Sequence, residues 1–277
     1  MTNTVTKLEP FGALIEPGNG PTHVKNLDLG ALRELFDQHH ILLLRGFTGI
    51  GEADDLVDFS ERWGEVAVWP FGKVLELVEQ EQPKDHIFDH TYVPMHWDGM
   101  YRPEVPEIQI FHCVQAPGKQ EGGRTVFSNT PEVIRLASQE DREKWAKVTG
   151  VYERKMEFYH SKTVAPLLDE HPIKKIPVLR YCEPPMQEDE GFLNHPEMSF
   201  EGIDDDLGGF LKAFQRQLYA EEVIYAHQWE TGDIVVSDNY TLLHGREAFS
   251  SGAGRHLRRV QVLGHPKLAN PHLVFHS

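Results

Sequence analysis

Apolar residues change their period from stretch to stretch along this chain, and each period predicts an element. From Asp28, the residues Leu32, Leu35 and Phe36 recur at helical spacing and predict a helix that stops near His39. His40-Ile41-Leu42-Leu43-Leu44-Arg45 then reads as a buried strand, with the His39/His40 pair at the helix end and strand entry. Leu56, Phe59 and Trp63 predict a second amphipathic helix. Positions 108–116 alternate, a Gly122-Gly123 turn precedes the strand Arg124-Thr125-Val126-Phe127, and Thr130-Pro131 opens a helix. Threonine can cap there and proline fits the first helical position. Helical spacing continues intermittently to Trp145, and 151–158 reads as extended.

The clearest helix follows Asp204-Asp205-Asp206, with Leu207, Phe210, Leu211, Phe214 and Leu218 as a core-facing stripe. Strands are predicted again at 223–229, 233–237 and 259–263. Three stretches carry no clean period. Residues 1–24 read as turns around Glu16-Pro17-Gly18-Asn19-Gly20-Pro21. Residues 64–93 read as a long irregular loop lining the way into the stretch after it. Residues 159–202 are rich in proline, and with the following helix they form an expected helical or loop insertion over about 159–220. The chain is thus mainly β with peripheral helices.

At 277 residues it is long enough for one large β-rich domain or two smaller ones. A formal net charge of -16 argues against nucleic acid or an anionic membrane as partner, since both require a basic footprint. A small anion held by one or two local arginines stays compatible with it. With Cys113 and Cys182 as the only cysteines, neither a disulfide framework nor a thiolate metal site is on offer. No apolar run approaches membrane-spanning length and no secretory leader is recognisable, so the cytoplasm is the expected compartment.

Candidate chemistry centres on Pro94-Met95-His96-Trp97-Asp98-Gly99-Met100-Tyr101. On an extended segment His96 and Asp98 project to one side, while Met95 and Trp97 project to the other. By itself this pattern also fits a hydrogen-bonded strand histidine beside a solvated aspartate, in a chain with 16 histidines. If His244 joins them, two imidazoles and a carboxylate form the facial ligand set of non-haem Fe(II) oxygenases. Further on, Arg255, Leu257 and Arg259 share one face of an extended segment. Two readings are open: an arginine aimed into the barrel and paired with a carboxylate, or a surface basic cluster.

Taken in order, His96-x-Asp98, Gly122-Gly123-Arg124-Thr125, Trp229-Glu230-Thr231-Gly232-Asp233 with Asp238-Asn239, and His244 followed by Arg255 and Arg259 resemble the taurine dioxygenase (TauD/TfdA) family. The resemblance implies one domain over 1–277, folded as a distorted jelly roll, the cupin-like double-stranded β-helix. It implies an oxygenase that uses Fe(II), 2-oxoglutarate and O2. His96, Asp98 and His244 match the family's metal ligands. Arg255 and Thr125 match the residues that hold the distal carboxylate of 2-oxoglutarate, and Arg259 matches a second arginine facing substrate or co-substrate. His171 falls where relatives read His-Pro-x-Thr-Gly, but here the run is His171-Pro172-Ile173-Lys174-Lys175, and His171 is expected to be structural.

A narrower resemblance, carried by His96 to Tyr101, Val105-Pro106, Phe111-His112-Cys113 and Gly122 to Ser128, is to the PvcB/IsnB isonitrile-modifying oxygenases. It implies oxidative desaturation of a tyrosine-derived isonitrile, with or without loss of its carboxylate. Such a substrate requires an aromatic slot, for which Met100, Tyr101 and Phe111 are candidates, and a cation, for which Lys162, Arg180 and Arg259 are candidates. Tyr92 is expected to face the substrate from its loop, with His90 and His160 as supporting groups or plain loop histidines. Two alternatives stay open: a hydroxylase of a free amino acid, alkylsulfonate or other small acid in the same family, and a non-enzymatic cupin-like binding module without turnover. Association into oligomers is compatible with every one of these readings.

Overall fold

The strand Ile41–Leu44 is apolar at every position because both of its faces are covered. Leu42 and Leu44 pack under helices α1 (Leu29–His39) and α2 (Ala53–Glu61), whereas Ile41 and Leu43 point into a second core between two sheets. Helix α1 starts where Asp28 Oδ1 accepts from the Gly30 and Ala31 amides, and it ends at His40, whose backbone is left-handed. The computed structural model describes residues 3–156, 159–185, 193–203 and 206–277.

The larger sheet has seven strands in the order Thr4–Lys7, Ala13–Glu16, Ile41–Leu44, Ile234–Asp238, Glu104–Gln115, His256–Ala269 and Val74–Val78. All neighbours are antiparallel except Ala13–Glu16 with Ile41–Leu44. Facing it lies an antiparallel sheet of four strands, ordered Ile224–His227, Thr125–Asn129, Leu242–Arg246 and Val93–His96. Phe111, Cys113, Val235 and Leu257 of the larger sheet meet Phe127 and Leu242 of the smaller one. This is a distorted jelly roll with helices outside, and it is mainly β.

Behind the smaller sheet, Met95 and Trp97 enter a third core. It is closed by α3 (Thr130–Leu136), α4 (Gln139–Trp145), α5 (Leu207–Leu218) and an outer sheet of Glu197–Glu201, Thr149–Met156, Tyr159–Pro166 and Leu273–His276. Met95 and Trp97 are buried here, so His96 and Asp98 must face the space between the two main sheets.

Four expectations are corrected. Residues 1–24 contain the strands Thr4–Lys7 and Ala13–Glu16, and 64–93 contain Val74–Val78. Thr4–Lys7 and Val74–Val78 are the exposed edges of the sheet, where burial enforces little alternation. The stretch expected as a helical or loop insertion begins with strands, and among its described residues only α5 is helical. In Tyr159–Pro166 the buried positions are Ser161, Thr163 and Ala165, so a regular burial pattern is written in residues that give no hydrophobic signal. At α3 the cap is the Asn129 side chain, which accepts from the Glu132 amide, while the Thr130 hydroxyl donates to the Thr241 carbonyl at 2.8 Å. Asp206 caps α5 through the Gly209 amide. Phe158, Asp204 and Asp205 lie outside the described residues. Among the described residues no helix is long and apolar enough to cross a membrane.

Candidate active site

Strand pairing places His244 directly across from His96 in the smaller sheet. In the larger sheet facing them, Gln109 pairs with Gln261. Asp98 lies between, and one ligand atom from each of His96, Asp98 and His244 falls within 4.8 Å of the others. His96 Nδ1 donates to the Pro94 carbonyl at 2.8 Å, which leaves Nε2 as a lone pair 3.7 Å from Asp98 Oδ1. His244 Nε2 is 3.8 Å from Asp98 Oδ2 and takes a long contact from the Gln109 amide at 3.4 Å.

Charge states follow from the surroundings. Burial holds both imidazoles below their ordinary pKa, with mutual repulsion adding to the effect at His244. Burial pushes the Asp98 carboxyl up, but Arg259 and the two histidines outweigh it and hold the group at about 2. Two neutral imidazole nitrogens and one carboxylate converging on one point are a donor set suited to a divalent first-row metal. Asn239 holds the backbone there: its Nδ2 donates to the Asp98 carbonyl and its Oδ1 accepts from the Asp98 amide, both at 2.9 Å.

Beyond His244 sits a second cationic centre. Arg255 is 3% exposed, donates from Nε to the Gly123 carbonyl at 2.9 Å and from Nη2 to Thr125 Oγ1 at 3.3 Å, and among the described residues pairs with no carboxylate. Burial, then the neighbouring Arg246, pulls its pKa down to about 9, which still leaves it charged at neutral pH. Thr125 Oγ1 also accepts from Trp229 Nε1 at 3.0 Å, so its own proton is free to donate. Gly123, at φ 77°, is required here: a Cβ would stand 3.0 Å from Arg255 Cδ and 3.1 Å from Phe249 Cβ. An uncompensated buried guanidinium beside a hydroxyl donor fits a carboxylate ligand.

A cavity of about 350 Å³ opens onto His96 and Asp98. Its wall is mostly apolar and aromatic, with Trp69, Phe71, Leu75, Phe88, Met100 and Tyr159 among the lining residues. Met100, Tyr101 and Arg259 line it; Tyr92, Lys162 and Arg180 do not. Lys162 is partly exposed and pairs with Glu153 at 3.3 Å. Arg180 lies behind the smaller sheet, 3.7 Å over the Tyr240 ring and 4.9 Å over Trp97. Phe111 belongs to the inter-sheet core. Arg259 is engaged with the cluster itself, its Nη1 2.5 Å from Asp98 Oδ2.

A sequence model of the taurine catabolism dioxygenase TauD, TfdA family matches residues 4–261. The chain belongs to that family. The dioxygenase is 49% identical over 264 residues to a tyrosine isonitrile desaturase of Pseudomonas aeruginosa, covering 95% of this chain and 91% of that protein. A tyrosine isonitrile desaturase of Erwinia amylovora is 47% identical, again over 95% of this chain and 91% of its own length. The fold of this chain matches a solved structure of PvcB, described as an Fe, alpha-ketoglutarate dependent oxygenase from an isonitrile synthetic pathway. The TM-score is 0.85 at 44% identity, covering 99% of this chain and 96% of that one. Family membership sets aside the non-enzymatic alternative.

Several residues around the dioxygenase's site escape a sequence reading. Gln109 and Gln261 each interrupt an apolar strand with an uncharged amide, which was the available signal. Arg154 lines the cavity and shares a face with Tyr152 and Met156 on a strand whose extended character was legible. Asp85 and Glu183 also line it, from segments without a period. Loop 64–93 contributes Trp69, Phe71 and residues 85–88 to the wall.

Proposed function

We propose that this dioxygenase, which uses Fe(II), 2-oxoglutarate and O2, desaturates a tyrosine-derived isonitrile, with His96, Asp98 and His244 holding the metal. The reading is carried by the near-full-length similarity to tyrosine isonitrile desaturases. Arg255 and Thr125 hold the distal carboxylate of 2-oxoglutarate, one by charge-assisted hydrogen bonding and the other by its free hydroxyl proton. Bound iron(II) with 2-oxoglutarate and O2 supplies a two-electron oxidation, in which the substrate gives up two hydrogens, or one hydrogen and its carboxyl group.

The residues of the chain set the conditions for that step. The Pro94 carbonyl fixes the tautomer and orientation of His96. Arg259, Gln109 and Gln261 keep Asp98 ionised and aimed. The apolar cavity wall excludes water from the substrate's carbon atoms and presents an aromatic slot. The test is succinate release by Fe(II)-reconstituted protein with 2-oxoglutarate and O2, with and without tyrosine isonitrile, and mass analysis of the organic product. Stimulated release with loss of two hydrogens, or of two hydrogens and carbon dioxide, is expected. Gain of one oxygen would instead establish a hydroxylase, and slow substrate-independent succinate would discard the substrate.

A further inference from the structure

One polar assembly on the cavity wall has no part in holding metal or co-substrate. Asp85, 2% exposed, accepts from the Ile87 amide at 3.2 Å and from Asn194 Nδ2 at 3.0 Å, and forms an ion pair with Arg154 Nη2. Arg154 reaches it from the strand Thr149–Met156. Tyr101 lines the same cavity, its ring 6.2 Å from that of Tyr159. Two polar atoms of this group, Tyr101 Oη and Arg154 Nε, are buried and have no hydrogen-bond partner among the described residues. Polar atoms left unsatisfied in an apolar wall are costly, so a ligand that satisfies them gains affinity.

The charge of the assembly selects the ligand. Arg154 is already balanced by Asp85, so a carboxylate placed here would sit as an uncompensated anion beside a buried one. A hydroxyl is neutral and both donates and accepts, which matches a carboxylate and a guanidinium standing together. On the reading proposed above, the substrate carries such a group, the phenol hydroxyl, at the end of the ring remote from the carbons that react. We propose that Asp85, Arg154 and Tyr101 read the para-hydroxyl of the aromatic substrate and so set its specificity, an inference that rests on the isonitrile reading. The phenol donates to Asp85 and accepts from Arg154 or Tyr101.

The test compares tyrosine isonitrile with phenylalanine isonitrile, which lacks only that hydroxyl, on the Fe(II)-loaded full chain. Dissociation constants are measured without O2 and kcat/KM with it, for the wild type, Tyr101→Phe and Asp85→Asn. The wild type is expected to prefer the hydroxylated compound by at least about 100-fold, as sites built around a substrate hydroxyl do. In Tyr101→Phe, which removes a single oxygen, the preference is expected to fall below about tenfold, mainly through KM. Equal efficiency of the wild type on both isonitriles would overturn this inference while leaving the desaturase reading intact. An equal loss on both compounds in either variant would also overturn it, since that result places the shared carboxylate at Arg154. If neither isonitrile stimulates succinate release in the wild type, both readings fall together.

Discussion

Arg259 Nη1 stands 2.5 Å from Asp98 Oδ2, and the amide nitrogens of Gln109 and Gln261 reach the same oxygen at 2.5 and 2.6 Å. Three donors therefore occupy one oxygen of the carboxylate, and Oδ1 is the oxygen on the side of His96 Nε2. Gln261→Leu removes one of these donors without changing charge. It is expected to weaken Fe(II) binding about tenfold or more, as loss of a ligand's hydrogen-bond partner generally does. Anaerobic metal titration checks this, and unchanged affinity would remove the orienting role. Asp98→Ala should abolish both Fe(II) binding and product formation.

Arg255 makes the opposite case, a buried charge without a counter-charge among the described residues. Replacing it by methionine should raise the melting temperature of the protein free of 2-oxoglutarate, because an uncompensated desolvated cation is removed. The same variant should lose the stabilisation that 2-oxoglutarate gives the wild type, and its KM for 2-oxoglutarate should rise at least about 30-fold, equivalent to roughly 2 kcal/mol or more. A melting curve with and without the co-substrate decides both points. Thr125→Val should weaken 2-oxoglutarate binding by roughly 1 kcal/mol.

Arg246, two residues beyond His244, donates to four backbone carbonyls: Ile87 at 3.0 Å, His86 at 3.2 Å, and Asp89 and Thr91 at 2.6 Å each. One guanidinium thus ties segment 86–91, of which 86–88 line the cavity, to the strand that carries His244. Arg246→Met orphans these carbonyls and should destabilise the protein by about 2–4 kcal/mol. Amide exchange should accelerate within 86–91 before it does elsewhere. Uniform acceleration across the chain would argue for a global effect alone.

His171 predicts a pH dependence away from the iron cluster. Its Nδ1 accepts from the Ile173 and Lys174 amides, both at 3.2 Å, and burial lowers its pKa to about 4. The unfolded chain takes up this proton first, near 6.5. The stabilisation from a neutral His171 is thus fully present above about 6.5 and is lost as pH falls through about 4, with a size on the order of 1–3 kcal/mol. His171→Asn keeps an acceptor that does not titrate. Its denaturation free energy should fall less steeply than the wild type's between pH 7 and 4, and parallel curves would refute the assignment.

Local pattern by itself determined which way side chains turn. Alternation placed His96 and Asp98 on one side with Met95 and Trp97 on the other, and it put Arg255, Leu257 and Arg259 on the face that proves to be interior. The helix stripes at 28–39 and 207–218 were legible for the same reason, since one buried face imposes one period. Tertiary structure alone decided what each side chain meets. His96 lies opposite His244 only through the pairing of two strands far apart in the chain, and Arg259 meets Asp98 across the gap between sheets. The second cation in the cavity, besides Arg259, shows the limit most clearly. Lys162, Arg180 and Arg154 all arise from 150–180, yet only Arg154 lines the cavity, because the packing of the outer sheet exposes Lys162 and buries Arg180 behind Trp97. Periodicity is a property of a segment and its immediate burial, whereas a site is a set of distances fixed by long-range register.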